Sequence, residues 1–166
     1  YRKFVAESND SSTGGGARDL RFRRFDKFEP ILGQMFPGRS PNQGPRGVEV
    51  FTGTIAWKEG ASTRRMEGKI WPPTTVRQNE GRLATVDRYK PFSDAQRFPG
   101  EYELVVLVHD SDNEVWPYVI GHTQLEEWDD EVAEAILRCL FESSRPNGTL
   151  AAGYIDLLSG RKECVV

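Results

Sequence analysis

Cysteine is scarce in this 166-residue chain: Cys139 and Cys164 are the only two. Neither lies in a C-x-x-C or Cys/His group, so neither a zinc site nor a disulfide framework is expected. Cys139 falls within a helical apolar pattern, as a small core residue does, and free thiols point to a reducing, cytoplasmic setting. Long hydrophobic runs are also missing. No stretch approaches the ~20 apolar residues that span a bilayer, and no signal-peptide hydrophobic region follows the N-terminus, so no membrane partner is expected. Histidine is limited to His109 and His122, neither followed by x-Lys nor set in a His-Asn-His spacing. The one glycine run, Gly14-Gly15-Gly16, lacks the Lys-Ser/Thr of a phosphate-binding loop and the spacing of a dinucleotide fingerprint. No cofactor is expected.

What remains is an ordinary globular composition, 37% hydrophobic and 28% charged, over a length that suits a single domain spanning 1–166. The chain opens on Tyr1, from which a domain cut from a longer chain is expected. The net charge of −3 argues against a nucleic-acid partner, but its distribution does not. Residues 1–100 hold 18 Lys/Arg against 11 Asp/Glu, and residues 101–166 hold 4 against 14. A basic half carried by an acidic half fits a molecule with one phosphate-facing surface.

Period-two alternation predicts strands over 1–5, 17–25, 48–57, 64–71, 82–89, 101–110, 115–120 and 150–158. A helix is expected over 26–36, capped by Asp26 with Glu29 three residues on and with Pro30 confined to its first turn. A second, opened by the capping pattern Thr123 to Glu126, runs to about Glu142 with Leu125, Trp128, Val132, Ile136, Cys139 and Leu140 on one face. These short strands, with two helices at their margins, suggest an open β-barrel rather than a βαβ array.

Between the strands lies the stretch 71–89, WPPTTVRQNEGRLATVDRY, which carries Arg77, Gln78, Asn79, Glu80 and Arg82. Arginine matches guanine O6/N7, Asn or Gln matches adenine N6/N7, and Glu accepts from cytosine N4. On a projecting loop such a cluster reads base edges in a major groove; a solvated loop of mixed charge is the other reading. Arg21, Arg23, Arg64, Arg65 and Lys69, on flanking strands, are candidates for phosphate contact.

These features carry a resemblance. Thr13-Gly14-Gly15-Gly16 precedes a strand and a short helix closed by Met35-Phe36-Pro37, and a hairpin then leads to Val76-Arg77-Gln78-Asn79-Glu80-Gly81-Arg82-Leu83. Over about three quarters of its length the chain resembles the B3-like DNA-recognition domain of EcoRII-type restriction endonucleases, related enzymes and plant transcription factors. The resemblance implies a mainly β, seven-stranded open pseudobarrel with two flanking helices and two arms that grip the major groove of double-stranded DNA. The first arm would hold Thr13, Gly14, Gly15, Gly16, Ala17 and Arg18, with Arg18 among the base readers. The second would hold Arg77, Asn79, Glu80 and Arg82. The chain departs from the pattern by lacking a His after the glycines and by inserting Gln78. The implied function is sequence-specific, non-catalytic DNA binding that targets a fused or associated nuclease.

Two other classes stay open. Glu67-Gly68-Lys69 matches the E-x-K half of a PD-(D/E)xK nuclease site, although no Pro-Asp lies suitably upstream. The acidic segment 126–142 would serve an interaction domain that docks another protein. Asp110, Asp112 and Glu114 have the composition of a cation loop but miss its Gly and final Glu, which favours a hairpin turn.

Overall fold

Alternation is cleanest in the stretch read as 48–57 and 64–71, and it produces the longest hairpin of the fold. The structure, a computed structural model, describes residues 2–3, 19–41, 49–93, 103–142 and 152–165. Strands β1 (Arg2–Lys3), β2 (Leu20–Arg23), β3 (Gly38–Pro41), β4 (Glu49–Glu59) and β5 (Ser62–Trp71) come first. Then follow β6 (Glu80–Leu83), β7 (Glu103–His109), β8 (Glu114–Gly121), β9 (Ala152–Asp156) and β10 (Arg161–Val165). The hairpin β4–β5 turns on Gly60-Ala61, with Gly60 at φ 60°, the left-handed residue that a two-residue loop needs.

The fold is mainly β: one mixed sheet curled into an open pseudobarrel, plus a few helices. Its order is β10-β9-β1-β7-β8-β4-β5-β6-β2, with β3 paired to β4. With its shortest strands counted the sheet has ten members among the described residues. Neighbours are antiparallel except β4 and β8, which run parallel through Thr54↔Glu114 and Ile55↔Val115. Among the described residues the sheet ends at β2 and β10 and does not close on itself.

Helix α1 (Phe25–Met35) fills the concave side. Its start differs from the expected one. Arg24 takes φ 52°, the helix begins at Phe25, and no side chain caps it, so Asp26 sits exposed inside the first turn. Pro30 is the sixth helical residue rather than a first-turn one, and Asp26, whose carbonyl it leaves without that donor, is an exposed residue. At the far end Phe36, fully buried, lies over Gly53 and Gly68, which oppose each other in register. A Cβ on Gly68 would stand 2.8 Å from the Phe36 ring and one on Gly53 2.9 Å from it, so two glycines admit one aromatic side chain. Burying that ring contributes about 2–3 kcal/mol.

The segment read as a strand over 82–89 is one only to Leu83. Thr85 at φ 52° turns it into a 3-10 turn (Val86–Arg88) and the single-turn helix α2 (Lys90–Ser93). These drop Val86, Tyr89 and Phe92 into the same core. Burial pushes the Tyr89 phenol up to about 12, and its hydroxyl donates to the Glu67 carbonyl at 3.1 Å, pinning β5 from below.

The opposite face of β7 and β8 carries a second core, in which Leu104, Val106 and Ile120 meet Leu125, Ile136, Cys139 and Leu140. The expected single helix from Thr123 is broken in two. A 3-10 turn (His122–Glu127) is held by Gln124 Oε1 accepting from Gly121 N at 3.0 Å. Asp129 then caps α3 (Asp130–Glu142), its Oδ1 accepting from Glu131 N at 3.1 Å and Val132 N at 3.2 Å. Among the described residues no helix is long and apolar enough to cross a membrane.

The cysteines correct the expectation of free thiols. Cys139 of α3 and Cys164 of β10 form a disulfide with their Cα atoms 5.5 Å apart, tying the edge strand to the helix. Strand β10 is not anticipated by alternation, because Arg161, Lys162 and Glu163 put charge on both of its faces, as an edge strand tolerates. The reducing setting inferred from unpaired cysteines loses that support.

Candidate nucleic-acid interface

Register decides which charged side chains meet. In β2 and β6 Arg21 pairs with Arg82 and Arg23 with Glu80, while Leu20, Phe22, Gly81 and Leu83 turn inward and are buried. Directly paired residues share a face, so Arg21, Arg23, Glu80 and Arg82 all point outward. Trp71 of β5 pairs with Arg82, which carries the outward face on through Lys69, Glu67 and Arg65. Thr52 pairs with Lys69 and Thr54 with Glu67, extending it onto β4, and Thr54 pairs with Glu114 of β8. Four strands at ~4.8 Å spacing make a surface roughly 14 Å across, close to the ~12 Å of a B-DNA major groove.

The contacts on this face fix some groups and leave others available. Arg82 Nη1 donates to Asp19 Oδ2 at 2.8 Å, and its guanidinium lies 5.8 Å from the Trp71 ring centre. Asp19, 7% exposed, also accepts from Thr85 N at 3.1 Å, so a buried carboxylate holds both the arginine and the strand end. Glu80 Oε1 lies 3.6 Å from Arg77 Nη1 and 3.8 Å from Arg21 Nε, between two guanidinium groups. Lys69 pairs with Glu67 at 3.0 Å. Arg65 is bonded to Glu114, which holds its charge on and raises its pKa. Arg23 is exposed and makes no ion pair among the described residues. Beside Arg65, a shallow depression of about 410 Å³ opens between Thr52, Thr54, Met66 and Glu67.

The segment expected as the second arm spans the turn that joins β5 to β6 and the start of β6. Pro72-Pro73 leads into it, Thr74 N donates to Arg77 O at 3.2 Å, and Arg77 N donates to Thr74 Oγ1 at 3.2 Å. Val76, Arg77, Gln78 and Asn79 are all exposed at its tip. Asn79 takes φ 63°, a conformation Asn tolerates, and its carbonyl accepts from Phe25 N at 3.1 Å. Its backbone therefore anchors the start of α1 while its side chain stays outside.

Of the residues singled out from sequence, Arg21, Arg23, Arg65, Lys69, Arg77, Glu80 and Arg82 share this face and its rim, with Gln78 and Asn79 at the turn. Glu80 and Arg82 stand on a strand, not on a projecting loop. Arg64 is not brought in: it falls on the other side of β5, paired with Glu59 at 2.6 Å at the hairpin end. Thr13, Gly14, Gly15, Gly16, Ala17 and Arg18 lie outside the described residues. The chain that holds them enters β2 at Leu20, whereas the second arm enters β6 at Glu80. Leu20 and Glu80 are at opposite ends of the ribbon.

Trp71 and Asp19 belong to the site and escape a reading of the sequence, since only pairing between distant strands brings them under Arg82. Asp110 is satisfied internally. Its carboxylate accepts from the N–H groups of Glu114 at 2.9 Å and Asp112 at 3.0 Å and from Trp116 Nε1 at 2.7 Å, which lowers its pKa. The loop is a hairpin turn with Asn113 at φ 59°. Among the described residues no group of three or more His, Cys, Asp or Glu is placed to hold a metal ion. No protein-family model, curated protein or solved structure matches the chain, so the reading of this face rests on its own geometry.

Proposed function

We propose that the chain is a sequence-selective double-stranded DNA-binding module that uses this outward face and two arms, in the manner of a B3-like domain, to target a fused or associated nuclease. One observation carries the proposal. Side chains as far apart in sequence as Arg21 and Arg82 are set by strand register on one face, with the base-matching residues Arg77, Gln78 and Glu80 at its rim. Phosphate contacts from Arg21, Arg23, Arg65 and Lys69 would hold the duplex, and the turn would read it. The module holds DNA and leaves cutting to its partner. Such a module works where DNA is accessible, in the cytoplasm, with the Cys139–Cys164 disulfide an exception for that compartment.

The test is a gel shift of a random duplex library, first without divalent metal and then with Mg²⁺. A selective shift with intact duplex is expected under both conditions. Affinity should fall about a hundredfold between 50 and 200 mM salt if four phosphates are contacted, at ~0.9 log units per contact per log of salt. Cleavage would instead favour a nuclease using Glu67 and Lys69. The absence of any shift would overturn the proposal.

A further inference from the structure

Val76 has no role in what is argued above, yet it is 74% exposed at the tip of the second arm, one residue before Arg77. Turn positions ordinarily go to Gly, Asn, Asp, Ser or Pro. A β-branched apolar residue there gains nothing for the fold, because it touches no core. The turn around it is stiff: Pro72 and Pro73 have fixed φ, and the Thr74–Arg77 bonds close it at 3.2 Å. Valine has few χ1 states, so it offers a preset apolar surface with little freedom to lose on contact. Its neighbours Arg77 and Gln78 have the chemistry of base edges, and the face beside them is the one assigned to DNA. On a major-groove edge the one apolar group is the C5-methyl of thymine, a position that 5-methylcytosine fills in the same way.

We infer that Val76 is a specificity-determining residue that packs against the C5-methyl group of a pyrimidine in the major groove. This rests on the DNA-binding reading and adds to it a base preference that hydrogen bonding by Arg77, Gln78 or Glu80 does not supply. Burying one methyl group corresponds to roughly a three- to fivefold change in affinity.

The experiment uses the full chain and the duplex it selects best from a random library. Each thymine is replaced in turn by deoxyuridine, which removes only the methyl group, and each cytosine in turn by 5-methylcytosine. At one position the wild-type protein should lose roughly three- to fivefold in affinity on methyl removal, or gain as much on methyl addition. The first result identifies thymine as the source of the methyl, the second methylated cytosine. Val76→Ser should abolish that response while Val76→Ile keeps it, with unchanged melting of both variants. Selective binding that responds to no methyl group, or a response that persists in Val76→Ser, overturns the assignment of Val76 and leaves the DNA-binding reading standing. Failure to select any duplex overturns both.

Discussion

Replacing Glu80 by Gln should lower affinity for the selected duplex by roughly 1–3 kcal/mol while affinity for a scrambled duplex holds or rises. An acidic side chain on a DNA-facing surface repels phosphate, so its presence needs a reason. Two are compatible with its geometry. On the proposed reading it would accept from cytosine N4, or aim the Arg77 and Arg21 guanidinium groups, 3.6 and 3.8 Å away, at guanine. Glutamine keeps the shape and loses the charge that does either. Stability should hardly change, because a pair at this degree of exposure contributes at most about 1 kcal/mol. If Glu80 merely decorates the surface, both affinities rise together and discrimination is kept. Equilibrium binding of the two duplexes at one salt concentration separates these outcomes.

Gly81→Val should destabilise the fold by about 3 kcal/mol or more, through steric conflict rather than through any loss of DNA contact. Gly81 is buried between Glu80 and Arg82, and a Cβ there would stand 2.1 Å from Phe25 Cδ2. The Phe25 ring has no vacant space to enter: it is 2% exposed and meets Phe51 edge-on at 6.1 Å. Phe25 also begins α1, whose first N–H is held by the Asn79 carbonyl, so the strain reaches the second arm. In thermal melts a loss of this size lowers Tm by about 6–12 °C for a domain of this length. Shortening the obstructing ring in Gly81→Val/Phe25→Leu should recover part of the loss. A Gly81→Val protein that melts like wild type would show that Phe25 does not rest on this glycine.

The same glycine shows how far the sequence could be read. The alternation Glu80-Gly81-Arg82-Leu83 has strand period, and taking it at face value would have placed Glu80 and Arg82 side by side. The dense run of base-matching residues instead suggested one projecting loop, and the true loop ends at Asn79. The hairpin of β4 and β5 and the pair β7 and β8 were legible because their apolar alternation is local. The parallel pairing of β4 with β8 and the disulfide were not, since each depends on residues distant in sequence, and β10 was not because its charged residues mask the alternation. The place of Pro30 inside α1 is hidden from the sequence for a related reason. Its cost depends on whether the Asp26 carbonyl reaches water, which is a property of the fold. Arg64 and Arg65 are adjacent in sequence and equal in charge; strand alternation sends them to opposite faces, and only the register of β5 decides which of them joins Lys69 and Arg82.

That register offers the most direct test of the central claim, that one face of the sheet holds the duplex. Arg23→Glu and Arg64→Glu change net charge by the same amount, one on the face and one off it. At about 0.1 M salt, where charges more than ~10 Å away are screened, only the on-face change should matter. Binding to the selected duplex, measured across a salt series, should weaken about tenfold or more for Arg23→Glu, with a slope shallower by about one. Arg64→Glu should stay within about twofold of wild type, with its slope unchanged. Equal weakening by the two variants, or a larger effect from Arg64→Glu, would contradict the assignment of this face to DNA.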